Sequence, residues 1–295
     1  MVPPAGGGLV LIRPPVVTAL VLGLWAGGTG AQEPASLRFE AVPGVPVQVR
    51  LLDDGALEAR VGHDGVVQRL VGVADEQGGA RLSHEDVDFD GHPDLVVRAS
   101  VGQVNEAVAV FRYAPGLGRL QPLMAPAGTQ ASCDGLWSLS TDASTGSVVS
   151  TCRSGPMWYT DVYRYQAGQL YLYRAERLTL LEGRDLASLL AIKPDDDAGP
   201  LAVWTSWDAA GRVRETAISD GLVMPGHDAP LHGVQARVVP PRLPLYTHPG
   251  DPATRRYMVA GDAVELRDER DGWLQVRFQS PTHGQVTGWV KVALP

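Results

Sequence analysis

The stretch from residue 36 to about residue 219 consists of short apolar runs, and the runs are separated by Gly, Pro, Asp or Asn. Within many runs apolar and polar residues alternate, which is typical of a β-strand because successive side chains point to opposite faces. The first strands are expected at 37–42, 47–52, 57–61 and 66–71. Asp64-Gly65, between the last two, predicts a hairpin turn. We therefore expect an all-β fold, with one convincing helical pattern at 184–192 that ends before Pro194.

A weak internal repeat indicates how the strands are grouped. The run from Val110 to Tyr113 resembles the run from Val162 to Tyr165, and the two copies start 52 residues apart. A third run, from Val203 to Trp207, is followed by a similar tight turn. Hairpins that repeat around a centre are typical of a propeller, and a plain β-sandwich is the alternative. We expect a propeller-like β domain over residues 36–235.

A Pro-rich segment at 239–244 predicts a domain boundary, so a second domain is expected over residues 240–295. In it, Gly272-Trp273 opens an alternating strand, and Gly288-Trp289-Val290 forms the last strand. This order resembles the bacterial SH3-like barrel, and the resemblance implies a small SH3-like β-barrel. Trp273 and Trp289 either pack inside this barrel or contact cell-wall peptide, which makes the domain a candidate for peptidoglycan binding.

Residues 1–31 predict a secretory signal peptide. Arg13 supplies the positive charge, residues 16–26 form the apolar core, and Thr29-Gly30-Ala31 supplies small residues for cleavage. This core of about 11 apolar residues is far shorter than the roughly 20 that span a bilayer, which argues against a membrane anchor. No later apolar stretch is long enough, so no membrane span is expected in the mature protein. A periplasmic or secreted location follows.

An exported chain enters an oxidising compartment, where the two cysteines, Cys133 and Cys152, are expected to form a disulfide. The alternative is a nucleophilic cysteine with a histidine partner. The formal net charge is -8, and only Lys193 and Lys291 are lysines among the 25 basic residues. Because an acidic protein repels phosphate backbones, nucleic acid is not expected as a partner.

The sharpest motif is an aspartate-rich segment from Asp86 to Val97, which reads D-x-D-x-D-G-x-x-D. In a calcium loop, positions one, three and five direct carboxylates inward, the glycine allows a sharp turn, and positions seven and nine complete the site. The expected Ca²⁺ ligands are Asp86, Asp88, Asp90, the main-chain carbonyl of His92, and Asp94. Val97 stands at position twelve, where an EF-hand has Glu, so we expect the loop to lead into a sheet.

Two alternatives remain open for this segment. It is a solvated acidic turn if no cation binds, although four carboxylates in nine residues then repel one another. It holds a transition metal if the ring of His84 or His92 is a ligand, although Pro93 restricts the neighbouring backbone. We expect a structural calcium, since the sequence indicates neither open coordination positions nor a nearby acid or base for catalysis.

The calcium loop resembles the FG-GAP repeats of integrin-type propellers, and the wider pattern resembles a narrower family. This family comprises the bacterial periplasmic immunity proteins that inhibit type IV-secreted peptidoglycan hydrolases of lysozyme-like activity. The matching pieces are the Asp86 to Val97 loop, the strands that end at Tyr113 and Tyr165, and the cysteine pair, within residues 36 to 220. The resemblance implies a lysozyme inhibitor and immunity protein. The SH3-like tail is a departure, because the simplest members of the family lack it.

Known catalytic motifs are missing from the sequence, which has no H-E-x-x-H pair, no G-x-S-x-G elbow and no phosphate-binding glycine loop. Ser83 to Asp86 includes the residue types of a triad, but triad members normally meet through the fold. His227 and His232 lie in a segment that is interpreted as a polar loop rather than a metal site. We do not expect an enzyme, and a hydrolase without a known motif is the alternative.

The segment between the cysteines is the best candidate for binding a partner. Its expected contact residues are Asp134, Leu136 and Trp137, because an exposed Trp beside a carboxylate suits insertion into a sugar-binding cleft. A disulfide that holds the loop rigid would lower the entropy lost when the loop binds. Alternatively Trp137 belongs to the core, as is expected of the run Met157-Trp158-Tyr159. The sequence thus predicts an exported calcium-binding inhibitor of a lysozyme-like hydrolase. The alternative is a cell-wall-binding adhesion or scaffold protein without inhibitory activity.

Overall fold

The computed structural model describes residues 35–179, 183–192, 200–226, 228–280 and 282–292. The signal peptide expected at 1–31 and His227 lie outside these residues. Within them the chain is all-β, with one short α-helix and one turn of 3₁₀-helix. No helix of the described residues has the length and apolar character needed to cross a membrane.

The first sheet, sheet 1, confirms the strand pattern at the start of the chain. Its four antiparallel strands are β1 (Ser36–Val42), β2 (Val45–Leu51), β3 (Leu57–Val61) and β4 (Val66–Leu70), in that order. Val61 pairs with Val66, so the hairpin expected at Asp64-Gly65 is present. Gly65 has a φ of 61°, a conformation that glycine adopts without strain.

The second sheet, sheet 2, contains four antiparallel strands around the aspartate-rich segment. They are β5 (Arg81–Glu85), β6 (Asp94–Val101), β7 (Asn105–Ala114) and β8 (Arg119–Leu123), and the 3₁₀ turn Pro115–Leu117 precedes β8. Leu95 and Val97 pack against sheet 1, whereas Val96 belongs to a core on the opposite face. Because both faces of β6 are covered, its apolar residues are continuous rather than alternating.

The chain then forms the largest sheet, sheet 3. The elements that follow are β9 (Ser140–Asp142), β10 (Ser147–Ser154), β11 (Met157–Gln166), β12 (Gln169–Leu178), α1 (Gly183–Leu189), β13 (Leu190–Ile192), β14 (Leu201–Trp207) and β15 (Val213–Asp220). Sheet 3 has the order β15-β14-β12-β11-β10-β9. The helix expected over 184–192 is therefore shorter than the pattern indicates, because residues 190–192 form a strand instead.

The C-terminal strands form sheet 4 and a small ribbon. They are β16 (Gln235–Val238), β17 (Leu243–Pro244), β18 (Tyr257–Met258), β19 (Ala263–Arg270), β20 (Trp273–Ser280) and β21 (Gly284–Lys291). Sheet 4 has the order β13-β16-β19-β20-β21, and β17 pairs with β18. Sheet 4 thus includes two strands that precede residue 240. Among the described residues no sheet closes into a barrel, so the expected SH3-like barrel is not confirmed.

Three apolar clusters join the sheets in sequence. Sheet 1 packs on sheet 2, and the other face of sheet 2 packs on sheet 3 through residues such as Val96 and Val148. Val203 and Ile218 of sheet 3 share a third cluster with the strands of sheet 4. The three hairpins of the internal repeat fall in only two sheets, because β11-β12 and β14-β15 are both in sheet 3. The propeller expected from the repeat is therefore not confirmed.

Candidate functional site: an acidic loop and a disulfide-linked surface

The aspartate-rich segment forms the loop that joins β5 to β6, as the sequence predicts. Main-chain N–H groups within the loop donate to its own carboxylates: Gly91 N donates to Asp86 Oδ2 at 3.0 Å, and His92 N donates to Asp90 Oδ1 at 2.8 Å. Gly91 has a φ of 87° and Phe89 a φ of 61°. A non-glycine residue with positive φ is uncommon, so the backbone is tightly curved here.

Three carboxylates converge inside this loop. Asp86, Asp88 and Asp94 each place an oxygen so that all three atoms lie within 4.8 Å of one another. Asp94, the first residue of β6, is only 5% exposed, and its Oδ2 accepts the Val87 N–H at 3.1 Å. Since Ca²⁺ binds oxygen at about 2.3–2.6 Å, oxygens on opposite sides of the ion lie about 5 Å apart. The spread of the three oxygens therefore fits one calcium ion.

The electrostatics of the cluster favour a cation. Burial and the nearby carboxylate of Asp88 raise the pKa of Asp94 to about 7, although the Val87 N–H and Arg112 oppose this shift. Arg112 lies on β7, and its Nη1 forms an ion pair with Asp88 Oδ2 at 3.0 Å. Three carboxylates and one guanidinium carry a formal charge of -2 when all are ionised. A divalent cation bound here would neutralise that charge.

The other expected ligands are placed differently. Asp90 is exposed, and its carboxylate is not one of the three that converge. The contribution expected of the His92 carbonyl stays a prediction. The ring of His84 stacks on Phe39 of sheet 1, with centroids 5.4 Å apart. Among the described residues, neither histidine joins the acidic cluster within the reach of one ion.

Two residues near the loop were not expected to belong to the site. One is Arg112, whose guanidinium forms the ion pair with Asp88. The other is Tyr165 on β11, which contacts Phe89 edge to face, with ring centroids 6.2 Å apart. The Tyr165 hydroxyl is buried and has no partner among the described residues. Burial raises the pKa of Tyr165, and the charges of the aspartates add to this effect. Both residues belong to the repeated Tyr-bearing strands, which is the signal that could have identified them.

Cys133 and Cys152 form a disulfide, which confirms the pairing expected from the sequence. The segment just after Cys133 is hydrogen-bonded to two sheets at once. Leu136 O accepts from Val108 N of sheet 2 at 3.0 Å, and Trp137 O accepts from Thr151 N of sheet 3 at 2.9 Å. The segment is therefore held in place by main-chain hydrogen bonds as well as by the covalent bond.

The residues expected to bind a partner differ in exposure. Asp134 is exposed, whereas Trp137 is half-buried and donates its Nε1–H to Asp134 O at 2.6 Å. Leu136 is only 7% exposed and packs in the core between sheets 2 and 3, so its side chain supports the surface from below. Trp158 was expected in the core but is 39% exposed, and the Arg153 guanidinium lies 5.9 Å from its ring centroid.

Two buried carboxyl groups lie on neighbouring strands of sheet 3. Asp161 on β11 accepts the N–H groups of Ser132 and Cys133, each at 2.8 Å. Glu176 on β12 accepts the Thr160 N–H at 3.0 Å. Burial raises the pKa of Asp161 and raises the pKa of Glu176 to about 8. The Asp161 carboxylate therefore anchors the start of the disulfide-linked segment to sheet 3, whereas the Glu176 carboxyl group bonds within that sheet.

Comparisons with known proteins identify no family for this chain. No protein-family model matches the sequence, and no curated protein matches it. A solved structure described as "Structure of a Xanthomonas Type IV Secretion System related protein" is similar with a TM-score of 0.36 and 15% sequence identity. That similarity covers 62% of this chain and 93% of the other chain. A similarity this weak carries no argument about fold or function.

Proposed function

We propose that the protein is an exported, calcium-binding β protein that binds and inhibits a lysozyme-like peptidoglycan hydrolase and so acts as an immunity protein. One observation carries the first part of the proposal: Asp86, Asp88 and Asp94 converge within 4.8 Å. The inhibitory part rests on the resemblance of the loop, the Tyr-bearing strands and the cysteine pair to periplasmic immunity proteins. The proposal includes a propeller-like domain and an SH3-like tail that contacts peptidoglycan.

Calcium is the cation that suits this site best. The three converging groups are carboxylates, and hard oxygen ligands favour calcium or magnesium over transition metals. Magnesium requires near-octahedral geometry at about 2.0–2.1 Å, whereas calcium tolerates an irregular set of oxygens at longer distances. The three carboxylates come from one irregular loop and the start of a strand, an arrangement that suits the more tolerant ion.

The role that we propose for calcium is structural. Asp86 accepts a main-chain N–H from Gly91, Asp94 accepts one from Val87, and Asp88 is paired with Arg112. Each carboxylate is thus engaged in holding the loop or an adjacent strand. A cation here would stabilise the connection between β5 and β6, and with it the sheet to which residues 136–138 are hydrogen-bonded.

The surface that we propose for the target combines the disulfide-linked segment with the neighbouring hairpin. The main-chain carbonyl of Trp137 accepts a hydrogen bond from Thr151 N on β10. Arg153 lies two residues further along β10, directly opposite Trp158 on β11. An indole ring beside a guanidinium complements a sugar-binding cleft that contains two catalytic carboxyl groups. Because the main chain beneath this surface is fixed, binding would order few additional groups.

The rate of cell-wall lysis by a panel of lysozyme-like enzymes tests the inhibitory proposal. We expect the purified chain with calcium to stop turnover of at least one enzyme at near-stoichiometric amounts. Trp158→Ala should weaken inhibition about tenfold or more, because an exposed aromatic anchor is lost. Val67→Ala is the matched control, since Val67 is an exposed apolar residue on sheet 1. Sedimentation with cell-wall sacculi without any effect on lysis would instead support the scaffold alternative.

A further inference from the structure

Two groups of arginines in the C-terminal region differ in their partners. On β19 and β20, Arg267 pairs with Glu265 at 2.9 Å, Arg270 pairs with Asp268 at 2.8 Å, and Arg277 also pairs with Glu265. The second group lies immediately before β17 and β18 and consists of Arg242, Arg255 and Arg256. These three form no ion pair within the part of the chain that the structure describes. These cations are exposed although the whole chain carries a net charge of -8.

Neutral groups hold two of these arginines in place. The Arg242 guanidinium lies 4.1 Å from the ring centroid of Tyr257. Arg256 donates to Thr247 Oγ1 at 3.4 Å and to the main-chain oxygen of Thr287 at 3.3 Å. Both contacts orient the guanidinium without neutralising it. The positive charge therefore remains available to an anion from outside the chain.

Arg255 and Arg256 border a groove of about 500 Å³. Leu245, Phe278 and Val286 supply apolar lining, and Phe278 and Val286 also pack on the core of sheet 4. Tyr257, Arg255 and Arg256 line the same groove. The groove thus offers an apolar lining next to two guanidinium groups and an aromatic ring. A ligand that fills it needs both apolar and anionic groups.

An open strand edge runs beside the groove. β21 is the last strand of sheet 4, and Trp289 exchanges two main-chain hydrogen bonds of 2.8 Å with Tyr246 on the side away from β20. In an antiparallel pair, every second residue directs its N–H and C=O to the same side. Thr287 and Gln285 therefore direct theirs to the side where Arg256 lies. Among the described residues, Gln285 has no main-chain partner there.

We infer that this edge binds an extended, carboxylate-rich peptide segment of a partner protein. The peptide adds a strand next to Gln285 and Thr287, which supplies main-chain hydrogen bonds. Side chains of a strand alternate, so apolar ones enter the groove and acidic ones meet the arginines. A free phosphate would use the charges but neither the apolar lining nor the strand edge. The site is separate from the acidic loop and from the disulfide-linked surface.

Fluorescence anisotropy with two labelled octapeptides tests this inference on the full chain. One peptide alternates Val with Glu, and the matched peptide has Gln at every Glu. We expect saturable binding of the Glu peptide and binding at least about tenfold weaker for the Gln peptide, since the Gln peptide cannot form charge-assisted hydrogen bonds with the arginines. Inorganic phosphate should not displace the Glu peptide at concentrations where unlabelled Glu peptide does.

Variants of the arginines give the decisive comparison. Arg255→Gln combined with Arg256→Gln should weaken binding of the Glu peptide about tenfold or more, and Arg256→Lys alone should retain most of it. Arg237→Gln is the control, because Arg237 is exposed on β16 and donates to Gly261 O outside the groove. Circular dichroism verifies that each variant is folded. Equal binding of the two peptides, equal binding by the double variant, or no saturable binding of the Glu peptide would overturn the inference.

Discussion

Glu176 gives a specific prediction, because only one of the two oxygens of its buried carboxyl group has a hydrogen-bond partner among the described residues. The residue lies on β12 and is 3% exposed, and its Oε1 accepts the Thr160 N–H at 3.0 Å. Its Oε2 is buried and has no partner among the described residues. Burial raises the pKa of Glu176 from 4.5 to about 8, against the opposing effect of the Thr160 N–H. The group is therefore mostly protonated in the folded protein at neutral pH.

The pH dependence of stability follows from this difference. The unfolded chain releases the Glu176 proton near pH 4.5, whereas the folded chain holds it until about pH 8. Between these values the unfolded state binds fewer protons, so the free energy of unfolding falls as the pH rises and levels off above about pH 8. A tenfold change in proton affinity corresponds to about 1.4 kcal/mol, so the total loss is on the order of 5 kcal/mol.

The variant Glu176→Gln should remove this loss, because its amide retains an acceptor for Thr160 and never ionises. Urea unfolding at pH 5, 7 and 9, followed by tryptophan fluorescence, measures the effect. We expect the variant to gain several kcal/mol over the parent chain between pH 5 and pH 9, while other groups titrate alike in both. Glu40→Gln, at an exposed position on β1 of sheet 1, should show no such gain. Parallel curves for Glu176→Gln and the parent chain would refute the reasoning.

Two further predictions concern covalent and steric constraints. Replacing Cys133 and Cys152 by Ala should lower the free energy of unfolding by about 3 kcal/mol. The reason is that the disulfide closes a loop with a 19-residue separation and so removes conformational entropy from the unfolded chain. Urea unfolding measures this loss, and an unchanged midpoint would contradict it. Gly233→Ala should cost more than about 2 kcal/mol, since a Cβ there would lie 1.9 Å from Leu266 O. Gly116→Ala, with open space around it, should be nearly neutral. Thermal unfolding measures both variants, and equal melting temperatures would refute the steric argument.

Local sequence patterns were sufficient to predict individual strands but not to predict which strands pair in the sheets. The alternation of apolar residues correctly predicts β1 to β4, and Asp64-Gly65 correctly predicts the hairpin between β3 and β4. Residues 190–192 look like the end of a helix because their apolar spacing fits one. They form β13 instead, since pairing with β16, some 45 residues later in the chain, satisfies their main-chain groups. Such long-range pairing leaves no local signal.

The same distinction applies to the candidate site. The spacing of the motif brings Asp86, Asp88 and Asp94 together, because all three lie within nine residues, in one short loop and the first position of the strand after it. The ion pair from Arg112 could not be read from the motif, since it depends on the register of β7 against β6. The exposure of Trp158 was also missed. Trp158 lies near the end of a hairpin, opposite Arg153, and this position leaves its ring exposed although the side chain is largely apolar.

Calcium binding by the metal-free chain tests the central claim most directly, and calorimetric titration measures it. We predict that the parent chain binds a single Ca²⁺ and that Asp88→Asn weakens binding about tenfold or more, because one of the three converging carboxylates is lost. Asp90→Asn is the matched control, since its carboxylate lies outside the convergent set, and it should bind almost as the parent chain does. A parent chain that binds no calcium, or an Asp88→Asn variant that binds it equally well, would contradict the account.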